Sequence, residues 1–154
     1  MIKICRIDHR LLHGQVAFVW CRSLNADAIL IVSDAVAKDE MRQSMLRISK
    51  PQGIKLVIKS MEDSIKAIKS GVTDKYKLFI LVDNTKDALA LVSAVEEVDH
   101  VNLGNMKVKE GTGFEFQFEK RLPYNLFLKR LSRIHDGIDY YRNCAVYRNG
   151  DCLE

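Results

Sequence analysis

Short apolar runs alternate with amphipathic stretches from the first residue to the last. Ile2 to Ile7 reads as a strand, and Gln15 to Leu24 as a helix with Val16, Val19, Trp20 and Leu24 on one face. Ala28 to Val32 is an unbroken run rich in branched side chains, the mark of a strand covered on both faces. Lys38 to Ile48 has helical spacing, with Met41, Met45 and Ile48 as its inward stripe, before Pro51 and Gly53 break the chain. Ile54 to Lys59 gives a third strand. Ser60 and Asp63 then make a capping pair ahead of Met61, Ile65, Ile68 and Val72, and Gly71 marks that helix's end. Leu78 to Val82 is the most hydrophobic strand and is expected at the sheet's centre. Asn84 or Thr85 caps a helix bearing Leu89, Val92 and Val95, and Val101 to Leu103 is a short fifth strand.

The rhythm then changes. Phe114, Phe116 and Phe118 alternate with polar residues, a helix is expected around Tyr124 to Arg133 with Phe127, Leu131 and Ile134 inward, and Tyr140 to Tyr147 closes as a strand. Five β-α units followed by a β-α-β extension predict an α/β fold: an open, mostly parallel central sheet with helices on both faces. The 154 residues fit a single domain, 1–154.

Composition narrows the field. A hydrophobic share of 47% excludes a disordered chain. Lysine plus arginine exceeds aspartate plus glutamate by 24 − 20 = 4, and acidic residues are interspersed among the basic pairs Lys107/Lys109, Lys120/Arg121 and Lys129/Arg130. A nucleic-acid partner is therefore not expected. The longest apolar runs, such as Val16 to Cys21, are far short of the roughly 20 residues that span a bilayer. Cys5, Cys21, Cys144 and Cys152 lack metal-ligand spacing, so no metal is expected and free thiols in a reducing cytoplasm are. No phosphate-loop or dinucleotide glycine pattern occurs, and Gly111-Thr112-Gly113 reads as a turn, so no cofactor is expected.

In an open parallel sheet the strands' carboxyl ends share the edge where ligands bind. The segments meeting there are Asp8 to Gly14, Ser33-Asp34, Asp83-Asn84-Thr85 and Asn102 to Asn105. The first is the richest in chemistry: two arginines (Arg6, Arg10), Asp8 and two histidines (His9, His13) in a loop opening onto a helix. A helix start offers unpaired N–H groups to an anion, and Gly14 leaves the backbone unshielded. Arg10 and Arg6 can hold phosphoryl oxygens in bidentate fashion. Asp8 can bond one imidazole nitrogen of His13 and leave the other free as a nucleophile. Plainer readings stand beside these: Asp8 and Arg10 bracing the loop as a pair, Asn84 and Thr85 as helix caps, and His9, His100 and His135 as loop or surface residues.

The string Arg6-Ile7-Asp8-His9-Arg10-Leu11-Leu12-His13-Gly14-Gln15-Val16, with Trp20 beyond it, resembles the active-site segment of the IIB components of the bacterial sugar phosphotransferase system, mannose/fructose/sorbose class. That family's pattern is R-[IV]-D-x-R-L-[IL]-H-G-Q-V with a tryptophan soon after. Ile31 to Asp34, Pro51-x-Gly53 and Val101 to Met106 extend the resemblance over most of the chain. Two positions depart from it: His9 stands where an acidic residue is frequent, and Asn105 where a second glycine is.

The resemblance implies a phosphocarrier in which His13 takes a phosphoryl group from a IIA partner and delivers it to a sugar held by IIC/IID membrane components. Asp8, Arg10, Gly14 and Gln15 then surround the histidine, while Arg6, Ser33, Asp34 and Asn102 support the site. The sugar is expected to be a hexose or amino sugar of the mannose/fructose/sorbose type, selected mainly by the membrane components. The donor is expected to be a separate chain, and the location cytoplasmic, at the membrane's inner face through those partners. The alternative is a regulatory module with the same fold, in which the phosphohistidine is a signal; the sequence leaves self-association open.

Overall fold

The computed structural model describes residues 1–14, 16–104, 145–148 and 151–153. Strands β1 (Ile2–Ile7), β2 (Ala28–Val32), β3 (Lys55–Lys59), β4 (Leu78–Val82) and β5 (His100–Leu103) are all parallel. Strands β6 (Ala145–Arg148) and β7 (Asp151–Leu153) add antiparallel pairs at the β5 edge, giving the order β3-β2-β4-β1-β5-β6-β7. β4 is the middle of the five parallel strands, and β2 and β4 are buried at every position. Their continuous apolar runs follow from helices on both faces. The expected strand Tyr140 to Tyr147 is represented by β6. The Phe114 to Phe118 strand and the helix at 124–133 lie outside the described residues.

Period-2 alternation sorts the core into two layers. Cys5, Ile7, Leu30, Val32, Ile80 and Val82 meet α4 (Met61–Lys69) and α5 (Thr85–Ala94) on one face. Ile4, Ile29, Ile31, Phe79 and Leu81 meet the other layer. That layer holds a π-helical turn at Val16–Trp20, α1 (Cys21–Ser23), α2 (Asp34–Ala37) and α3 (Glu40–Ile48). The helix starts are capped as their sequences suggest: Ser60 Oγ accepts from Asp63 N, and Asn84 Oδ1 from Asp87 N. Gly71, at φ +75°, takes the left-handed turn after α4.

Two elements differ from the periodicity reading. Val16 to Trp20 winds as a π-turn, so Ala17 and Cys21 join Val16 on its inner face, at offsets of four and five, while Trp20 and Leu24 pack against the same core as expected. Val19 is thereby turned outward, 61% exposed. On α3 the expected inward stripe faces solvent: Met41, Met45 and Ile48 are 77%, 62% and 85% exposed. Gln43 points inward instead, its Nε2 donating to Val36 O (3.1 Å) and Ala37 O (2.9 Å), beside buried Leu46. Gln43 thereby adds a side-chain donor to the carbonyls ending α2, of which Val36 O also accepts from Asp39 N.

β1 and β4 are neighbours whose following segments leave to opposite faces, which opens a crevice at their carboxyl ends. Among the described residues no helix is long and apolar enough to cross a membrane.

Candidate active site at the carboxyl end of β1

The loop after β1 is built around a buried carboxylate. Asp8 N donates to Val82 O at 2.8 Å, extending the β1–β4 ladder by one residue and fixing Asp8 over the crevice. The chain then reverses. Leu11 N donates to Asp8 O, and Leu11 takes φ +56° with its side chain fully buried. A left-handed conformation is costly for leucine, on the order of 1–3 kcal/mol, and persists because the core holds its side chain. The reversal returns the chain to Asp8. His13 lies there, its carbonyl accepting from Ala17 N at 2.8 Å where the helical segment begins.

Asp8 is wholly buried and satisfied from three sides. Oδ2 accepts from Arg6 Nη2 at 3.1 Å and lies 3.3 Å from His13 Nε2. Oδ1 accepts from the Arg10 backbone N–H at 3.1 Å. Arg6 is 5% exposed. It donates Nη1 to Asn102 Oδ1, its register partner on β5, and its Cζ lies 4.8 Å from the centre of the Trp20 ring. Trp20 in turn stacks on Phe79 of β4, ring centres 6.2 Å apart and planes 15° from parallel. A buried cation thus meets a carboxylate, an amide oxygen and an aromatic face, the partners a desolvated guanidinium requires.

His13 keeps part of its ring in solvent, with the side chain 24% exposed. An ionised carboxylate only accepts, so Nε2 is the protonated nitrogen when it bonds Asp8, and Nδ1 carries the lone pair. Arg10 is exposed, and among the described residues no carboxylate holds its guanidinium; the Asp8–Arg10 link runs through the backbone instead. Around Gly14 there is open space on the side where a Cβ would stand.

The remaining expected residues sort by distance from this centre. Asn102 joins it through Arg6. Ser33 and Asp34 brace the adjacent loop: Ser33 Oγ caps α2 and donates to Asp83 Oδ2 at 3.2 Å, while Asp34 Oδ1 accepts from Met61 N. Nearby, Asp87 has its pKa raised, chiefly by burial; Asn84's hydrogen bond opposes this, and the charges of Asp83 and Asp34 add to it. Gln15 and Asn105 lie outside the described residues, as does His135. His9 is half-buried, and His100 Nδ1 pairs with Asp99 Oδ1 at 2.5 Å. The described residues contain no group of histidine, cysteine and carboxylate side chains that could hold a metal ion.

Two contributors carried no assigned role in the sequence reading: Trp20 as the lid on Arg6, and Gly104 beside it. The signal was an arginine flanked by Cys5 and Ile7 at the inner end of a mostly apolar strand, which must bring its own counter-charge and cover.

Comparison with known proteins places the chain in a family. Residues 2–114 match the family model described as the PTS system sorbose subfamily IIB component. A probable phosphotransferase enzyme IIB component of Streptococcus pyogenes serotype M6 is 41% identical over 106 residues, 69% of this chain and 65% of that protein. The matched stretch therefore spans just under two thirds of that relative's length. The sorbose-specific EIIB component of Lacticaseibacillus casei is 35% identical, over 72% of this chain and 68% of that one. Among solved structures, the IIB domain of the Klebsiella pneumoniae sorbose permease superposes with a TM-score of 0.71, at 27% identity, covering 94% of this chain and 91% of that one. The chain belongs to the sorbose subfamily of phosphotransferase-system IIB components.

Proposed function

We propose that this chain is a phosphocarrier in which Nδ1 of His13 accepts a phosphoryl group from a phosphohistidine on a IIA partner. His13 then passes the group to a hydroxyl of a sugar bound by IIC/IID membrane components. The observation that carries the reading is the 3.3 Å approach of His13 Nε2 to buried Asp8, on a side chain that stays 24% exposed. Membership of a phosphotransferase family supports the reaction class.

In the accepting step the Nδ1 lone pair attacks the donor's phosphorus in line. A new N–P bond forms as the donor's N–P bond breaks, and the electron pair returns to the donor imidazole. The Nε2 proton stays in place, and the positive character that develops on the His13 ring is balanced by Asp8. Arg10 and the unpaired N–H groups of the first helical turn meet the equatorial phosphoryl oxygens, where charge is spread in a loose transition state. In the delivering step the sugar oxygen takes the phosphorus, its proton leaves to solvent or to the acceptor site, and the N–P electron pair returns to Nδ1. Arg6 serves a different purpose from Arg10: buried against Asp8, Asn102 and Trp20, it fixes the carboxylate rather than the phosphate. The sugar is of the mannose/fructose/sorbose type, and the place of work is the cytoplasmic face of the membrane.

The test is incubation with the phosphorylated IIA donor followed by intact-mass analysis. The wild-type chain is expected to gain one phosphoryl group and His13→Ala none, with both giving the same melting profile. Label retained by the folded variant overturns the assignment.

A further inference from the structure

We infer that Gly104 is a positioning residue for phosphoryl transfer: the missing side chain is the space in which the Arg6 guanidinium sits, and through Arg6 it sets Asp8 and His13. Gly104 is buried at the end of β5, with its N–H donating to Ile7 O at 3.0 Å. A Cβ built there would stand 2.5 Å from Arg6 Cζ, 2.6 Å from Arg6 Nη2 and 2.5 Å from Ile7 O. Carbon atoms in contact need about 3.5 Å, so a side chain fits only if the Arg6 guanidinium is displaced and the β1 backbone at Ile7 O also gives way; the guanidinium, at the end of a flexible side chain, is the part that yields first.

The same strand presents Asn102 two residues earlier, bonded to the guanidinium's other terminal nitrogen. β5 thus shapes both ends of the guanidinium, by one hydrogen bond and one void. The atom that an added methyl would strike, Nη2, is the one that holds Asp8 Oδ2, and that oxygen faces His13 Nε2. A push at Gly104 is therefore delivered along three contacts to the nucleophile. Misplacing a reacting group by about 1 Å can cost a hundredfold in rate.

This inference rests on the phosphocarrier reading, so its test carries one arm that needs no transfer. Trp20 is the chain's sole tryptophan and covers Arg6, which makes its emission a direct report on that side chain. Gly104→Ala is expected to change Trp20 emission and to lower kcat for uptake from phosphorylated IIA by about 10- to 100-fold. KM for the donor should stay within about twofold, because Gly104 is buried and presents nothing to a partner. In an Arg6→Lys background, where Cζ and Nη2 no longer exist, the same substitution should cost several-fold less.

Equal costs in the two backgrounds, or a Gly104→Ala variant with wild-type kcat and emission, overturn the inference. If Gly104→Ala alone fails to fold, a folded Arg6→Lys/Gly104→Ala double variant upholds the inference. Failure of both means that Ile7 O, not Arg6, excludes the side chain, and overturns it. Should the wild type accept no phosphoryl group, the phosphocarrier reading falls, while the emission arm still decides whether Gly104 seats Arg6.

Discussion

Asp8→Asn tests the buried centre because it changes charge and leaves size. The native carboxylate is fully buried and accepts from Arg6, from Arg10 N–H and from His13. Removing one partner of a buried ion pair typically costs about 3–5 kcal/mol, because the other charge stays desolvated. Arg6 retains Asn102 and the Trp20 face, and the asparagine oxygen can still accept one bond, so the lower end applies: about 3 kcal/mol. For a chain this long each kcal/mol moves Tm by roughly 2–4 °C, giving an expected fall of about 6–12 °C. Transfer suffers separately. The amide no longer selects the Nε2–H form of His13 or balances its developing charge, and the acceptance rate should fall by about 100-fold or more. Thermal melts and single-turnover acceptance, the latter run well below the variant's Tm, separate the two effects. The double variant Arg6→Met/Asp8→Leu sharpens the comparison: replacing both charges by apolar groups should return most of the stability and none of the transfer. A single variant that melts within 1 °C of wild type and transfers at near-normal rate would refute the buried-pair account.

Three further outcomes follow from exposure and burial. Arg10→Ala should leave Tm unchanged, its guanidinium being exposed, yet slow acceptance at least about tenfold, the equivalent of roughly 1.4 kcal/mol; rapid-quench kinetics reads this directly. Met45→Gln should change urea stability by less than about 0.5 kcal/mol, since the side chain is 62% exposed, whereas a core methionine would cost several times that. Burial pushes the Cys5 thiol up from 9.0 to about 12, so the folded state keeps its proton where the unfolded chain loses it. The corresponding stability is full below pH 9 and is lost as pH rises toward 12, with a slope near 1.4 kcal/mol per pH unit. Urea midpoints of wild type should fall faster than those of Cys5→Ala between pH 9 and 11; parallel curves would contradict the burial.

What the sequence made legible depends on whether one local signal outweighed its competitors. β2 and β4 were readable because strands buried on both faces must be apolar at every position. α4 and α5 were readable because their caps and stripes coincide, except that Val72, expected on the α4 face, lies past Gly71 and is 57% exposed. The orientation of α3 was not, since Met41, Met45 and Ile48 make as good a stripe as Gln43 and Leu46. The choice between them lies in two carbonyls of α2 that only the folded chain brings near Gln43. The π-turn leaves no local mark either; its winding is set by the reach from His13 to the core. In the site, the loop's chemistry was written in consecutive residues, whereas the shell around Arg6 is assembled from β1, β5, Gly104 and the π-turn, up to 104 − 6 = 98 positions apart. Trp20 and Gly104 acquire roles only through that long-range contact.

His13 is expected to carry the phosphoryl group on Nδ1, the nitrogen that does not face Asp8. Transfer from phosphorylated IIA to uniformly ¹⁵N-labelled chain, followed by ³¹P–¹⁵N correlation NMR, tests it most directly. A single phosphoramidate on Nδ1 of His13 is expected, with Nε2 still protonated against Asp8. A phosphoryl group on Nε2, or on any other residue, would contradict it.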